Sequence, residues 1–296
     1  DGTVECAKAF VDKMIKSNHL AVLEHGTVYL YLEVTPENAF GSFDYPLAGF
    51  TSHYNWSNVV GYIEAKYRNN SYSKVVNIID TENAEDFDKA VRRIYITTNC
   101  RVIIENGWQD DLQFICAPTE HHKKRYTFKV TTSIGVTREF NRHRTLSILE
   151  QSTRYCNYTD DKFNNQVSFC KPAWITLNTG LYYIMLIDSL SKENCFIVGD
   201  GYLVELREDT PENVFLKNCF SSEGNYVRAI LVDKLQPQQA REFLPLCTAT
   251  EAVYTGFTDQ WKHFFDLRFF ESTGKAHPNM LELSTKMRVA AVKAGS

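Results

Sequence analysis

The residues with most chemistry in them lie in one short run, Arg138-Glu139-Phe140-Asn141-Arg142-His143-Arg144, followed by Ser147, Glu150, Ser152 and Arg154. Four arginines and a histidine are concentrated there, in a chain whose net charge is −4. A guanidinium presents a planar fork of donors that matches phosphate, and burial does not strip its charge. On a helix Arg138 and Arg142 would stand four apart on one face, where like charges repel unless an anion lies between them. Each charge-assisted bond contributes about 1.5–3 kcal/mol, so three or four suffice to hold a nucleotide. A solvated helix end with Glu139 and Glu150 as salt-bridge partners has the same pattern, and charge alone does not separate the two.

The elements that must position this run are legible in the hydrophobic spacing. Residues 4–18 predict a helix, with Phe10, Val11, Met14 and Ile15 at helical intervals. Residues 26–34 alternate Val28, Leu30, Leu32 and Val34 with aromatic and charged residues, which predicts a strand, and Tyr126-Phe128-Val130 predicts another. Ser133 is placed to cap a helix carrying Ile134, Thr137, Arg138 and Arg144 and ending near Thr145. Residues 173–190 read as an apolar helix and Gly199-Asp200-Gly201 as a turn. Further helices are expected over 221–235, over 238–244 with a stop at Pro245, over 258–270, and after Pro278. Separated strands among longer helices point to an α+β fold, an antiparallel sheet flanked by helices.

The order of residues in the run adds more than its charge. Arg142-His143-Arg144, seven residues, Ser152 and then Arg154-Tyr155 resembles the RHR-x7-S signature of the flavin-dependent thymidylate synthases, the ThyX family. Asn18-His19 with Leu23-Glu24-His25 is similar to the family's Gly-His…Phe-Glu-His segment, and Ala240-Arg241 through Leu244-Pro245 to its Ala-Arg-x-x-Leu-Pro. Trp261 to Arg268, with Ala276-His277-Pro278 beyond, resembles the late helix ending in Leu-Arg. The resembling stretches are about 4–34, 126–160 and 225–290.

The resemblance implies reductive methylation of dUMP to dTMP, with methylenetetrahydrofolate as carbon donor and NADPH as reductant through FAD. It implies a single ThyX-like catalytic domain over 1–296 and a homotetramer with active sites shared between subunits. Carried over by position, Arg142, His143, Arg144, Glu150 and His263 contact the flavin. Glu139, Arg142, Glu150, Gln151, Ser152, Thr153, Arg154, Arg241 and Arg268 contact dUMP. By the same resemblance Arg268 is expected to be the catalytic residue, favouring ionisation of the uracil N3. No cysteine sits in a Pro-Cys-His context, Cys170 being the nearest, which agrees with a synthase that needs no enzyme thiol nucleophile. Glu139 stands where Gln is common, and Phe257 to Asp259 departs from the family's Asn-x-Arg. A homologue that binds nucleotide and flavin without turnover shares these motifs and is the alternative.

The stretch 35–125 is atypical of the family, rich in aromatic residues and expected to be an inserted subdomain, either peripheral or a cover over the folate or nicotinamide entrance. Composition bounds the rest. With 36 acidic against 32 basic residues and a pI near 6.1, the chain lacks the cationic excess of a nucleic-acid coat protein. The densest apolar run, 181–187, is far too short to span a membrane. Adjacent His121 and His122 do not make a zinc site by spacing, and no metal is expected. Eight scattered cysteines without a signal segment fit free thiols and a cytoplasmic location. The chain starts at Asp1 and is expected to lack the strand and helix with which family members begin.

Overall fold

In a computed structural model of the chain, residues 4–35, 56–80, 91–176, 182–185, 196–199, 202–205 and 210–294 are described. They fall into two compact units, one of Asp1–Phe128, His143–Leu149 and Val253–His263, the other of Lys129–Arg142, Glu150–Ala252 and Phe264–Ser296.

In the first unit the expected N-terminal helix is Val4–Lys16 (α1), with Phe10, Val11 and Ile15 exposed in this chain. The expected strand is Thr27–Val34 (β1), and its alternation is realised: Val28, Leu30, Leu32 and Val34 are buried and the intervening residues are not. β1 pairs antiparallel with Val91–Asn99 (β3), which pairs in turn with Lys74–Asp80 (β2), giving the order β1-β3-β2. The stretch after β1 therefore supplies that strand's partners. Ile63 and Tyr67 of the helix Trp56–Arg68 (α2) pack on the sheet with Ile94, Ile96 and Ile103. Asn99 ends β3 and caps Cys100–Glu105 (α3), its side chain accepting from Val102 N at 3.0 Å. Full burial of each such aliphatic side chain contributes about 1.5–3 kcal/mol.

A further three-stranded sheet is built of Arg125–Ser133 (β4), Ala249–Phe257 (β9) and Ser147–Glu150 (β5) in the order β4-β9-β5. Ser133 caps Ile134–Phe140 (α4) as expected, accepting from Val136 N at 3.3 Å. The helix stops at Phe140 and not near Thr145. Asn141 closes it with its N–H on Thr137 O at 2.8 Å, and buried Leu146 and Ser147 then lead into β5. Arg142 and Arg144 are thus in a turn, not on a helical face.

The expected apolar helix over 173–190 is a second correction. Residues 173–176 are not helical, and Tyr182–Met185 (β6) is a strand paired with Phe196–Gly199 (β7). Short apolar runs rich in aromatic and β-branched residues fit either element by periodicity, and pairing decides. The remaining residues of that stretch lie outside the described residues, as do Asp200 and Gly201 of the expected turn, although Gly199 pairs with Tyr202 of Tyr202–Glu205 (β8). The helix expected from 221 starts earlier, at Pro211 (Pro211–Leu231, α5), because Thr210 caps it and proline suits its first turn. Pro237–Ala240 (α6) and a 3-10 turn Arg241–Phe243 follow, then Thr258–Arg268 (α7) and Pro278–Lys293 (α8). Tyr226 and Ala229 of α5 and Ala240 of α6 form a buried cluster with Tyr158 and Val167.

Candidate active site

In the second unit, α4 and β5 fix one carboxylate from both sides. Thr137 is fully buried on α4 and donates from Oγ1 to Glu150 Oε1 at 2.6 Å. Asn141, which closes the helix, donates from Nδ2 to Glu150 Oε2 at 3.0 Å. Each oxygen thereby keeps lone pairs for a further donor while its direction is set. α4 is anchored by Phe140, fully buried and stacked on Phe264 of α7 with centroids 4.4 Å apart. The start of the helix is pinned by the connection before β9: Ile134 N donates to Thr248 O at 3.0 Å and Gly135 N to Leu246 O at 2.9 Å.

The cations predicted from sequence surround other parts of this unit. Arg142 follows the helix end, exposed, with its N–H on Glu139 O at 3.3 Å. Arg154 is exposed, its guanidinium 5.4 Å from the Tyr155 ring, and its N–H bonds Ser152 Oγ at 3.3 Å. Among the described residues no carboxylate lies within ion-pairing distance of Arg142 or Arg154. Arg241 meets Glu242, its neighbour, at 3.3 Å. Arg268 ends α7 half-buried, its carbonyl accepting from Ser284 Oγ at 2.9 Å. Glu139 faces His277 Nδ1 at 3.9 Å, and His277 meets the Trp174 ring edge-on at 5.7 Å. Gln151 lines a pocket of about 290 Å³ with the Tyr158 ring and Thr131, and its N–H bonds Glu251 O at 2.8 Å. Thr153 is half-buried in the turn that follows.

In the first unit, His143 and His263 face each other with ring centroids 6.4 Å apart, and Arg144 is exposed. Arg125 is half-buried and donates to Thr27 Oγ1 and Glu24 O, both at 3.0 Å. His25 bonds Thr255 Oγ1 through Nδ1 at 2.8 Å, while its buried Nε2 has no partner among the described residues. Burial holds the His25 pKa below the usual imidazole value, with Arg125 adding to that and Glu24 opposing it. A cleft of about 420 Å³ is lined by Lys74, Lys123, Lys124 and Lys262 around Phe257.

The motifs contain Asn141 and His25 without giving either a role at the site, and they leave out Thr137. The signal for Thr137 and Asn141 was present: they are four apart, so on a helix they share a face, and a polar pair there calls for a polar partner. Among the described residues no cluster of three His, Cys, Asp or Glu could hold a metal ion, and no helix is long and apolar enough to cross a membrane.

Residues 116–294, more than half of the chain, match the family model described as thymidylate synthase complementing protein. No curated protein matches. Among solved structures, thymidylate synthase X from Helicobacter pylori, determined with FAD and dUMP, is similar at 18% identity and a TM-score of 0.35, over 55% of this chain. The chain thus spans 65% of the length of that protein. A UMP/dUMP methylase, PolB from Streptomyces cacaoi, bound with 5-Br dUMP, is similar at 24% identity and a TM-score of 0.39, over 57% of this chain and 67% of its own.

Proposed function

Since the chain belongs to the thymidylate synthase complementing protein family, that of the flavin-dependent thymidylate synthases, we propose that it methylates dUMP to dTMP, taking the carbon from methylenetetrahydrofolate and electrons from NADPH. The observation that carries this reading is a carboxylate, Glu150, aimed by Thr137 and Asn141, in a unit whose exposed Arg142 and Arg154 have no carboxylate partner among the described residues. Such unpaired guanidinium groups suit a doubly charged nucleotide phosphate.

The residues also fit a flavin dinucleotide. Among the described residues Arg144 has no ion-pair partner and the buried His25 Nε2 has no hydrogen-bond partner, while His143 and His263 offer facing imidazoles. Bound FAD would supply the electrons that reduce the transferred carbon, and the protein supplies binding, orientation and electrostatics. Arg142, His143, Arg144, Glu150 and His263 are the proposed flavin contacts. On the nucleotide, Ser152, Thr153, Arg154 and Arg241 are assigned to the phosphate and sugar, with Glu139, Gln151 and Arg268 completing the contacts. A half-buried cation at Arg268 favours negative charge developing on the uracil and so the transition state over the ground state. Burial pushes the Cys170 thiol up to about 11, so that residue offers no thiolate at neutral pH, in keeping with a route free of an enzyme thiol nucleophile.

The active form is proposed to be a homotetramer sharing its sites between subunits, of mass about four times the 34.1 kDa chain. Sedimentation of an active monomer would refute that assembly. The reaction is tested by tritium release from dUMP labelled at C5, with methylenetetrahydrofolate and NADPH present or withheld. Release dependent on both, from a protein with a flavin absorption band, is the expected result. Flavin and dUMP binding with no release under any condition would instead establish a homologue without turnover.

A further inference from the structure

Two cysteines that the proposed reaction does not use lie side by side in the second unit. Cys219, buried on α5, and Cys247, half-buried in the connection before β9, have their Sγ atoms 4.0 Å apart. A disulfide needs these atoms at about 2.05 Å, with the two Cα atoms about 4.4–6.8 Å apart. The sulfurs must therefore approach by about 2 Å from their 4.0 Å separation to bond. We propose that Cys219 and Cys247 form a modification site, a thiol pair that a hydroperoxide oxidises to a disulfide joining α5 to the connection before β9.

The chemistry is divided between the two sulfurs. The Cys219 S–H hydrogen-bonded to Cys247 holds the Cys247 thiol below its usual value, and the same bond together with burial pushes Cys219 up. Cys247 is therefore the nucleophile and Cys219 the resolving thiol. The Cys247 thiolate attacks one peroxide oxygen, the O–O bond breaks, and Cys247 becomes a sulfenic acid as hydroxide leaves. Cys219 sulfur then displaces the sulfenic hydroxyl, and its proton leaves with that hydroxyl as water. Two thiols and one hydrogen peroxide give one disulfide and two waters. Cys170 is the competing thiol, since its N–H bonds Cys247 O at 2.8 Å, but its own thiol is pushed up to about 11 by burial and stays protonated.

The cross-link has a mechanical consequence. It closes the chain between residues 219 and 247, which are 28 apart, and the enclosed stretch contains α6 and the Arg241 turn. Leu246 and Thr248, on either side of Cys247, hold the first N–H groups of α4. Oxidation thus stiffens the Arg241 turn and the anchor of α4 together. None of this depends on whether the chain methylates dUMP.

The test uses the whole chain, treated with hydrogen peroxide and then digested without reduction. The expected product is 2 Da lighter, carries a peptide joining Cys219 to Cys247, and reverts with dithiothreitol. Amide exchange over 241–247 should slow at least threefold in the oxidised form. In the Cys219→Ser variant Cys247 should accumulate as a sulfenic acid that reacts with dimedone, and Cys170→Ser should still form the link. A linked peptide joining Cys247 to Cys170, or oxidation of other thiols with Cys219 and Cys247 left reduced, would overturn the assignment. Unchanged exchange over 241–247 in the linked protein would overturn the stiffening. The peptide map of the unsubstituted chain decides the first point even if Cys219→Ser fails to fold.

Discussion

Replacing Thr137 by Val keeps a β-branched side chain at a fully buried position and removes one donor from Glu150. The bond lost, 2.6 Å long and received by a carboxylate, belongs to the charge-assisted class worth about 1.5–3 kcal/mol. Asn141 still donates to the other oxygen at 3.0 Å, so the carboxylate is not orphaned, and the expected loss of stability is about 2 kcal/mol. With Glu150 replaced by Gln the same contact is neutral, and Thr137→Val should then cost only about 1 kcal/mol. The double-mutant cycle therefore carries a coupling of about 1 kcal/mol. Urea unfolding of the four proteins, followed by tryptophan fluorescence, measures it, with unchanged m values showing that the native and unfolded states are otherwise comparable. A dUMP titration of the same set should show the affinity falling several-fold in Thr137→Val, since Glu150 loses half of its orientation. If the two substitutions add within about 0.3 kcal/mol, Thr137 does not act through Glu150 and the reasoning about an aimed carboxylate fails.

Four further outcomes are expected. Arg142→Ala should purify with little flavin but an intact fold, with Arg142→Lys restoring retention only in part because it lacks the fork; the flavin-to-protein absorbance ratio reads this. Arg268→Ala should lower kcat more than it weakens FAD binding, and steady-state kinetics showing only raised KM values would remove its activating role. Stability should be full above about pH 6.5 and fall below it, because burial holds His25 and His122 below the usual imidazole value while the unfolded chain protonates freely. Urea midpoints between pH 8 and 5 should accordingly drop less for His122→Asn than for the unsubstituted chain. Replacing 37–123 with a Gly/Ser linker strips the partners from Val28, Leu30, Leu32 and Val34, a loss of about 6–12 kcal/mol at about 1.5–3 per side chain, comparable to a whole domain's stability. Circular dichroism should show that product unfolded; a cooperative thermal transition would show the first unit to be independent of that stretch.

Much of the local structure, and the motif that led to the family, could be read directly from residue order. The alternation in β1, the cap at Ser133, the turn propensity around Pro245 and the helix from Thr258 each depend on neighbours within about four residues, and such interactions act the same way in any fold. Where the fold departs from the local pattern, the deciding contact is distant in sequence. Residues 182–185 became a strand because residues 196–199 pair with them, and α4 ended at Phe140 because Leu146 and Ser147 are needed, buried, at the start of β5. Similarly, Thr137 and Asn141 lie 13 and 9 residues from Glu150, and only the return of the chain along β5 turns two ordinary helix residues into its clamp. Cys219 and Cys247 show no motif at all; their approach is a product of how α5 packs beside the connection to β9. Capping and periodicity are short-range energies written in adjacent side chains, whereas strand partners and clamped carboxylates follow from chain closure over long loops, whose outcome is set by which surfaces bury best together.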